Sequence, residues 1–325
     1  MDMNRALIDV HAHFLTENYV AAATAAGHVQ PDGMPGWPAY DVDQHLRSMD
    51  RWGIGRAVLS ISSPGTHFGD DAAARQLTEQ VNVAGADLAR LHPQRFGHFA
   101  SLSLPDVDGA LAQTAFALDE LGSQGLVVES NTGGVYLGDP RYRPLYDDLN
   151  ARQAIVFIHP TSPPHADQIA LGRPRPMIEF IFDTARTVID LMSHDVLTAY
   201  PDIRWIVSHG GGVLPLLVDR VDLFRGVFLG GPGGGGDAVG VVDLLRRLWF
   251  DTAGTPFPRQ VPALTALCGH EHLLYGSDYC WTPEPGVDRQ LRSIDDAGTP
   301  AGVDDWRALL AGNAASLLAP GQDVV

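Results

Sequence analysis

The fold class that this sequence predicts is a (β/α)8 barrel, and two observations predict it. Eight short apolar runs rich in β-forming residues recur along the chain, and stretches with helical periodicity separate them. Some of the runs, such as AIVFIH and IRWIVSH, are almost continuously apolar, which is typical of parallel strands covered on both faces. The predicted strands are Ala6–His11, Arg56–Ile61, Phe96–Ser101, Gly125–Glu129, Ala154–His159, Ile203–His209, Leu248–Asp251 and Leu273–Gly276.

Helical segments complete the alternating pattern. The clearest are Asp41–Trp52, Ala72–Leu91, Asp106–Leu121 and Met177–Ala199. Such an alternation builds right-handed βα units, and no linker of domain-boundary character interrupts it. We therefore expect residues 1–325 to form one barrel domain.

Two segments rich in glycine and proline predict loops. Residues 27–39 follow the first predicted strand, so we expect a small insertion at about 27–40 that folds over the barrel mouth. The run GGPGGGGDAVG, which begins at Gly230, predicts a flexible surface connection. A phosphate-binding loop is the less favoured interpretation, because the GxxxxGK[ST] spacing is absent.

The charge of the chain excludes several classes of partner and mechanism. There are 39 acidic and 22 basic residues, for a net charge of −17, so nucleic acids and anionic membrane surfaces are poor partners. All 22 basic residues are arginine, which excludes a Schiff-base lysine, a lysine general base and a carbamylated lysine. No apolar run is long enough to span a membrane and no signal-peptide pattern precedes the first strand, so we expect a cytoplasmic protein.

Potential metal ligands occur at the ends of four predicted strands. They are His11, His13, His159, His209 and Asp278. In a (β/α)8 barrel the C-terminal ends of all strands meet at one mouth, so residues that are distant in sequence converge there. His11 and His13 stand at i and i+2, a spacing that places both side chains on one face of a strand. The sequence therefore predicts a divalent-metal site at the C-terminal end of the strands.

Motifs along most of the chain carry a resemblance to a known family. They are DVHAHF, RFGHFASLSLPD, VVESNTGGVYLGDPRYRPLYDDL, VFIHPT, YPDIRWIVSHGGGVLPLLVDR and FDTAGT followed by LLYGSDYCW. The chain resembles the amidohydrolase superfamily, in the branch that contains 2-amino-3-carboxymuconate-6-semialdehyde decarboxylase and the hydroxybenzoate decarboxylases. This resemblance implies a distorted (β/α)8 (TIM) barrel with one divalent ion, usually zinc and in some members manganese.

The resemblance also implies roles for individual residues. The metal ligands match His11, His13, His159 and Asp278, and His209 matches a residue that acts in acid–base chemistry. Arg220 matches an arginine that dimers of this family insert into the neighbouring active site, which implies a homodimer or a larger assembly. A surface ion pair is the alternative interpretation of Arg220.

The chain departs from its relatives at two positions. Binuclear hydrolases carry a carbamylated lysine on the fourth strand, where this chain has GLVVESN, so one metal is favoured and Glu129 is the alternative bridge to a second ion. The semialdehyde decarboxylase has a substrate-binding arginine where this chain has His45, with Arg47 and Arg51 nearby. We therefore predict that His45 influences the choice of substrate.

The predicted function is non-oxidative decarboxylation of a small aromatic ortho-hydroxy acid. A metal held by histidines and one carboxylate can chelate the carboxylate and the adjacent hydroxyl of a substrate, and Asp278 or His209 then protonates the ring carbon. Phe14 and Trp281 are aromatic candidates for contact with a flat substrate, with core or lid packing as the alternative. A mononuclear hydrolase of lactones, esters or amides and a catalytically inactive metal-binding barrel are the competing hypotheses.

Overall fold

Eight parallel strands lie side by side in the order in which they occur along the chain. The computed structural model describes residues 6–228 and 239–319. The strands are β1 (Leu7–His13), β2 (Ile54–Ser60), β3 (Phe96–Ser101), β4 (Gly125–Glu129), β5 (Ile155–His159), β6 (Arg204–Val207), β7 (Trp249–Asp251) and β8 (Leu273–Leu274). Val10 donates its backbone N–H to the carbonyl of Tyr275 at 3.0 Å, and this contact brings β8 back to β1. The predicted (β/α)8 barrel is confirmed.

Helices surround the strands, and several of them begin at side-chain caps. The carboxylates of Asp41, Asp70 and Asp106 accept hydrogen bonds from backbone N–H groups of the first helical turns that follow them. The helices are α1 (Glu17–Ala25), α2 (Val42–Trp52), α3 (Asp71–Leu91), α4 (Val107–Ala115), α5 (Arg143–Ala151), α6 (Ala166–Ile169), α7 (Glu179–Ser193), α8 (Val196–Ala199), α9 (Leu214–Phe228), α10 (Val241–Leu245), α11 (Val261–Cys268), α12 (Glu284–Asp295) and α13 (Trp306–Leu318).

Two of the predicted helices are interrupted. The segment expected as Asp106–Leu121 is helical to Ala115 and then continues as a π-helical turn, Phe116–Glu120. The segment expected as Met177–Ala199 splits into α7 and α8, because Asp195 between them adopts a left-handed backbone conformation with φ 58°. The hydrophobic pattern continues through such a break. The sequence therefore predicts one helix where the backbone forms two.

A buried apolar cluster fills the interior of the barrel. Each of the strands except β7 contributes to it, and Ala314 and Leu317 of α13 pack against it. The strand residues are Val10, Val58, Phe99, Val127, Ile155, Phe157, Ile206 and Leu274. The centre of the Phe157 ring lies 4.8 Å from the centre of the His11 ring. The apolar core therefore packs directly beneath the side chains at the barrel mouth.

The segment after β1 and α1 folds over the barrel mouth. It contains a 3-10 turn, Pro31–Gly33, and the ring of Trp37 packs 5.6 Å from the ring of Trp281 on the opposite side. The glycine-rich run that begins at Gly230 falls mainly outside the described residues. Within the described ranges, every helix is too short or too polar to cross a lipid bilayer.

Candidate metal centre and substrate cavity

Four side chains at the barrel mouth place ligand atoms within 4.8 Å of one another: His11, His13, His159 and Asp278. The Oδ1 atom of Asp278 lies 3.2 Å from His13 Nε2 and 3.5 Å from His11 Nε2. Those two Nε2 atoms are buried and have no hydrogen-bond partner, an arrangement that is costly unless another group occupies the space between them. Three imidazoles and one carboxylate fit a divalent cation such as zinc.

Burial and neighbouring groups set the charge states of His13, His159 and Asp278. Burial lowers the pKa of His13 and, with repulsion from His13 and His11, lowers the pKa of His159 well below its usual value, so these imidazoles are neutral. Burial alone would raise the pKa of Asp278, but the nearby imidazoles of His11, His13 and His209 outweigh it and hold that pKa well below its ordinary value. Neutral imidazoles and an ionised carboxylate are the forms that bind metal.

A further carboxylate, Asp251 at the end of β7, supports the cluster from behind. Its Oδ2 atom accepts a hydrogen bond from His11 Nδ1 at 2.8 Å, which leaves His11 Nε2 turned towards the other ligands. Its Oδ1 atom accepts the backbone N–H groups of His209 and Ala253, both at 2.9 Å. Burial lowers the pKa of His11, yet the charge of Asp251 reverses the effect and raises it to about 10, so binding of a metal must displace a proton from His11. The sequence analysis assigned no role to Asp251, although it ends a predicted strand in the FDTAGT motif.

Asp9 is a second carboxylate that the sequence analysis missed. It is fully buried, and its Oδ1 atom accepts the backbone N–H of His11 at 3.1 Å and that of Ser277 at 3.0 Å. These contacts join β1 to the segment that carries Asp278. Burial, partly offset by the hydrogen bonds from Ser277 and His11, raises the pKa of Asp9 to about 7.

His209 lies beside the cluster and faces Asp278. Its Nε2 atom is 3.7 Å from Asp278 Oδ2, the oxygen on the far side from His13. Both residues have left-handed backbone conformations, with φ 53° at His209 and φ 58° at Asp278, a form of strain that concentrates at functional sites. The side-chain amide of Gln260 donates a hydrogen bond to the carbonyl of His209 and holds this turn in place. The imidazole of His209 and the carboxylate of Asp278 thus lie next to each other at the barrel mouth.

A cavity of about 470 Å³ opens from the ligands towards solvent, a size typical of small-molecule sites. His159, His209 and Asp278 form its polar end, and its side walls come from the insertion after β1, from the loops after β2, β5, β7 and β8 and from the start of α7. Trp281 lines the cavity, and its indole N–H donates to Ser62 Oγ at 2.5 Å. The apolar lining comprises Met34, Pro174, Pro176, Met177, Phe180, Ile181, Ala253, Trp281 and Pro283.

The other predicted substrate-binding residues lie away from this cavity. Phe14 is fully buried and packs against His98. His45 is buried with its ring 4.6 Å from that of Tyr279, and Arg220 is exposed on α9 with its guanidinium 4.8 Å from the ring centre of Phe224. Their roles in substrate binding stay predictions. Glu129 is the candidate ligand for a second metal. Its Oε2 atom lies 3.5 Å from His159 Nδ1, and burial raises the pKa of Glu129 well above the ordinary value.

The fold and the ligand cluster define the class of protein, and the comparisons agree: the chain belongs to the amidohydrolase family, whose model matches residues 8–319. It is 33% identical over 305 residues to the 6-methylsalicylic acid decarboxylase of Aspergillus aculeatus, with 91% of each chain covered. A crystal structure described as amidohydrolase II superposes with a TM-score of 0.88 at 34% identity, over 96% of this chain and 99% of that one.

A more distant structure adds to the evidence for the fold. It is a dihydroxybenzoic acid decarboxylase from a Polaromonas species, with bound manganese and the inhibitor 2-nitroresorcinol. It matches with a TM-score of 0.82 at 23% identity and covers 96% of both chains. The resemblance to the decarboxylase branch of the family, which the motifs predicted, is confirmed.

Proposed function

We propose that this chain is a metal-dependent, non-oxidative decarboxylase of an aromatic ortho-hydroxy carboxylic acid. The observation that carries the proposal is the cluster of His11, His13, His159 and Asp278, which opens onto a cavity suited to a small flat molecule. The similarity to the Aspergillus 6-methylsalicylic acid decarboxylase over nine-tenths of both chains supports the same reaction.

The metal, when bound, supplies positive charge that draws the substrate carboxylate and its ortho oxygen to the polar end of the cavity and stabilises negative charge on that oxygen. The flat walls, including Trp281 and Phe180, then orient the ring. These residues confine the reacting carbon near His209 and Asp278, which line the same end.

Protonation of the ring carbon that bears the carboxylate is the difficult step, because it interrupts aromaticity. We propose that the proton released by the ortho hydroxyl of the substrate is taken up between Asp278 Oδ2 and His209 Nε2, which lie 3.7 Å apart, and is delivered from there to the ring carbon. The bond between the ring carbon and the carboxylate carbon then breaks, carbon dioxide leaves, and the electron pair of that bond restores the aromatic ring. Neither an oxidant nor a reductant is required.

We propose zinc as the native ion with manganese as the alternative, a cytoplasmic location, and one domain over residues 1–325 with its insertion at about 27–40. The Polaromonas relative contains bound manganese, and this observation supports manganese as the alternative ion.

We further propose a homodimer that forms through α9. This helix exposes five large apolar side chains, Leu216, Leu223, Phe224, Val227 and Phe228, and such a patch is typical of an interaction surface. Arg220 lies in the same helix, where it could enter the cavity of the partner subunit. Phe14 and His45 are buried, so they would act on the substrate only indirectly. Sedimentation of the wild type and of Leu223→Glu tests this: a dimer that the substitution dissociates is expected, and a wild-type monomer contradicts it.

The function is tested by measuring carbon dioxide release from a panel of ortho-hydroxybenzoates with zinc-loaded and manganese-loaded protein. We expect turnover of at least one compound, and loss of that turnover in Asp278→Asn. A parallel panel of lactones, esters and amides tests the alternative. Hydrolysis of that second panel without carbon dioxide release from the first would replace the decarboxylase by a hydrolase, and metal binding without either reaction would favour an inactive barrel.

A further inference from the structure

Asp32 places a carboxylate in the wall of the substrate cavity. It belongs to the insertion that covers the mouth, and its backbone is left-handed with φ 53° and ψ 26°, a conformation that Asp tolerates better than most residues. The same residue also lines a larger outer cleft of about 790 Å³, so it stands between the reaction cavity and that cleft. Nothing in the metal cluster requires an acidic group at this place.

Two hydroxyl groups from the barrel hold the carboxylate in position. Ser63, after β2, donates to Asp32 Oδ2 at 2.7 Å, and Ser162, after β5, donates to Asp32 Oδ1 at 2.5 Å. Ser63 Oγ is also 2.6 Å from Thr161 Oγ1, which anchors the serine in turn. Each carboxylate oxygen that accepts one hydrogen bond keeps capacity for another.

The carboxylate of Asp32 acts electrostatically on His28 in the outer cleft but is not paired with it. Over residues 6–228 and 239–319, no arginine or histidine side chain forms an ion pair with it. Arg175, which reaches the neighbouring Gly33, is paired with Asp167 instead. The residues of this chain that line the cavity include no arginine, and the chain has no lysine. A negative group in this wall therefore acts on whatever occupies the cavity.

An aromatic acid bound in the cavity would have the metal ligands at one end and the carboxylate of Asp32 at the other. The proposed function places its carboxylate at the metal ligands, and the apolar surfaces of Met34, Phe180 and Trp281 lie along the ring. A hydroxyl on the ring at the Asp32 wall can donate to the carboxylate, and such charge-assisted hydrogen bonds are about twice as strong as neutral ones. A second carboxylate at that wall would be repelled and would lose its hydration without compensation.

We propose that Asp32 determines substrate choice: it accepts a hydrogen bond from a ring hydroxyl beyond the ortho one and excludes a second carboxylate. The substrate class is then a monocarboxylic aromatic acid with at least two hydroxyls. This inference rests on the proposed function, because it takes the substrate carboxylate to lie at the metal ligands. Asp32 acts as a specificity residue and takes no part in the bond-breaking step.

The test compares wild type with Asp32→Asn, which keeps the size and the left-handed backbone but removes the charge. The probes are salicylate, the ortho-hydroxybenzoates with a second hydroxyl at each remaining ring position, and 4-hydroxyisophthalate, each measured for carbon dioxide release and for binding by calorimetry. We expect the advantage of the best dihydroxy compound over salicylate to fall about 10-fold in the variant. We expect 4-hydroxyisophthalate to gain about 10-fold relative to salicylate, since a site that no longer repels it discriminates less.

Two further variants separate selectivity from a loosened insertion. Ser162→Ala removes one hydrogen bond to Asp32 but keeps the charge, so 4-hydroxyisophthalate should stay disfavoured as in wild type. Asp87→Asn removes a charge that pairs with Arg90 on the surface of α3, and it should leave all ratios between compounds unchanged. Equal losses on all compounds in Asp32→Asn, or ratios that do not move, overturn the proposal.

The binding measurements keep this test independent of turnover. If wild type releases carbon dioxide from no compound, the proposed function fails while the binding ratios still decide the role of Asp32. If turnover occurs with ratios unaltered by Asp32→Asn, the function stands and the selectivity proposal fails.

Discussion

The imidazole of His11 donates through Nδ1 to the carboxylate of Asp251 at 2.8 Å, and both side chains are fully buried. The two residues are 240 positions apart in sequence, and the barrel brings them together by placing β1 and β7 on the same mouth. The carboxylate fixes which nitrogen of His11 faces the other ligands, and such outer partners tune the affinity of a metal site.

Replacement of Asp251 by Asn should weaken metal binding by about 10- to 100-fold, because the amide keeps the shape but loses the charge that orients His11. Competitive titration against a chelator measures the change. Asp243→Asn, at a mostly exposed carboxylate on α10, serves as the control and should have no effect. Unchanged metal affinity in Asp251→Asn would show that the contact with His11 is only structural.

Removal of the metal should abolish turnover and lower the thermal stability of the protein. The buried Nε2 atoms of His11 and His13 lose their partner, and binding stabilises the folded state by mass action. At a free-metal concentration about 100 times the Kd, we expect a Tm about 5 °C higher than that of the metal-free protein. Differential scanning calorimetry with and without chelator measures it, and identical Tm values would contradict a site at this cluster.

The variant His209→Asn should keep its metal and lose turnover. Asparagine tolerates the left-handed conformation at this position, so the fold should survive. Loss of the proton-transfer group should lower kcat by about 10²- to 10⁴-fold. Metal analysis of the purified variant provides the control: a metal-free variant would indicate that His209 is a ligand, and an unchanged kcat would assign the proton to Asp278 alone.

The pH dependence of stability should reveal His98, which is buried in β3 and hydrogen-bonds with Ser123. Burial lowers its pKa to about 3, whereas in the unfolded chain it titrates near 6.5. Between these values the unfolded state binds more protons, so the contribution of this residue is complete above pH 6.5 and is lost as the pH falls. From pH 6.5 to pH 5 this group alone should lower the free energy of unfolding by about 2 kcal/mol.

Urea unfolding of wild type and His98→Gln at pH 7 and pH 5 checks this expectation. Packing losses in the variant should affect both pH values equally, so the quantity of interest is the difference between the two pH values. A variant whose stability falls with acidification as steeply as that of wild type would show that His98 is not the responsible group.

The sequence alone predicted which four side chains meet in the cluster, because each lies at or just beyond the end of a strand whose apolar pattern is local. It predicted β6 and β8 to be longer than they are, since the apolar pattern continues past the residues at which the sheet pairing ends. Asp251 and Asp32 escaped assignment for a different reason. Asp251 contacts His11, and Asp32 contacts Ser162. Only the folded chain brings these partners close together, so the sequence gives no sign of them.

The junction between β1 and β8 has a consequence for biosynthesis. Two residues of the cluster, His11 and His13, lie on the first strand, and Asp278 follows the eighth. A nascent chain therefore has no complete set of ligands until the last strand of the barrel has been translated. We expect capture of the ion to follow that point, since a chain cut short before it would lack both the hydrogen bond from Val10 to Tyr275 and the carboxylate of Asp278.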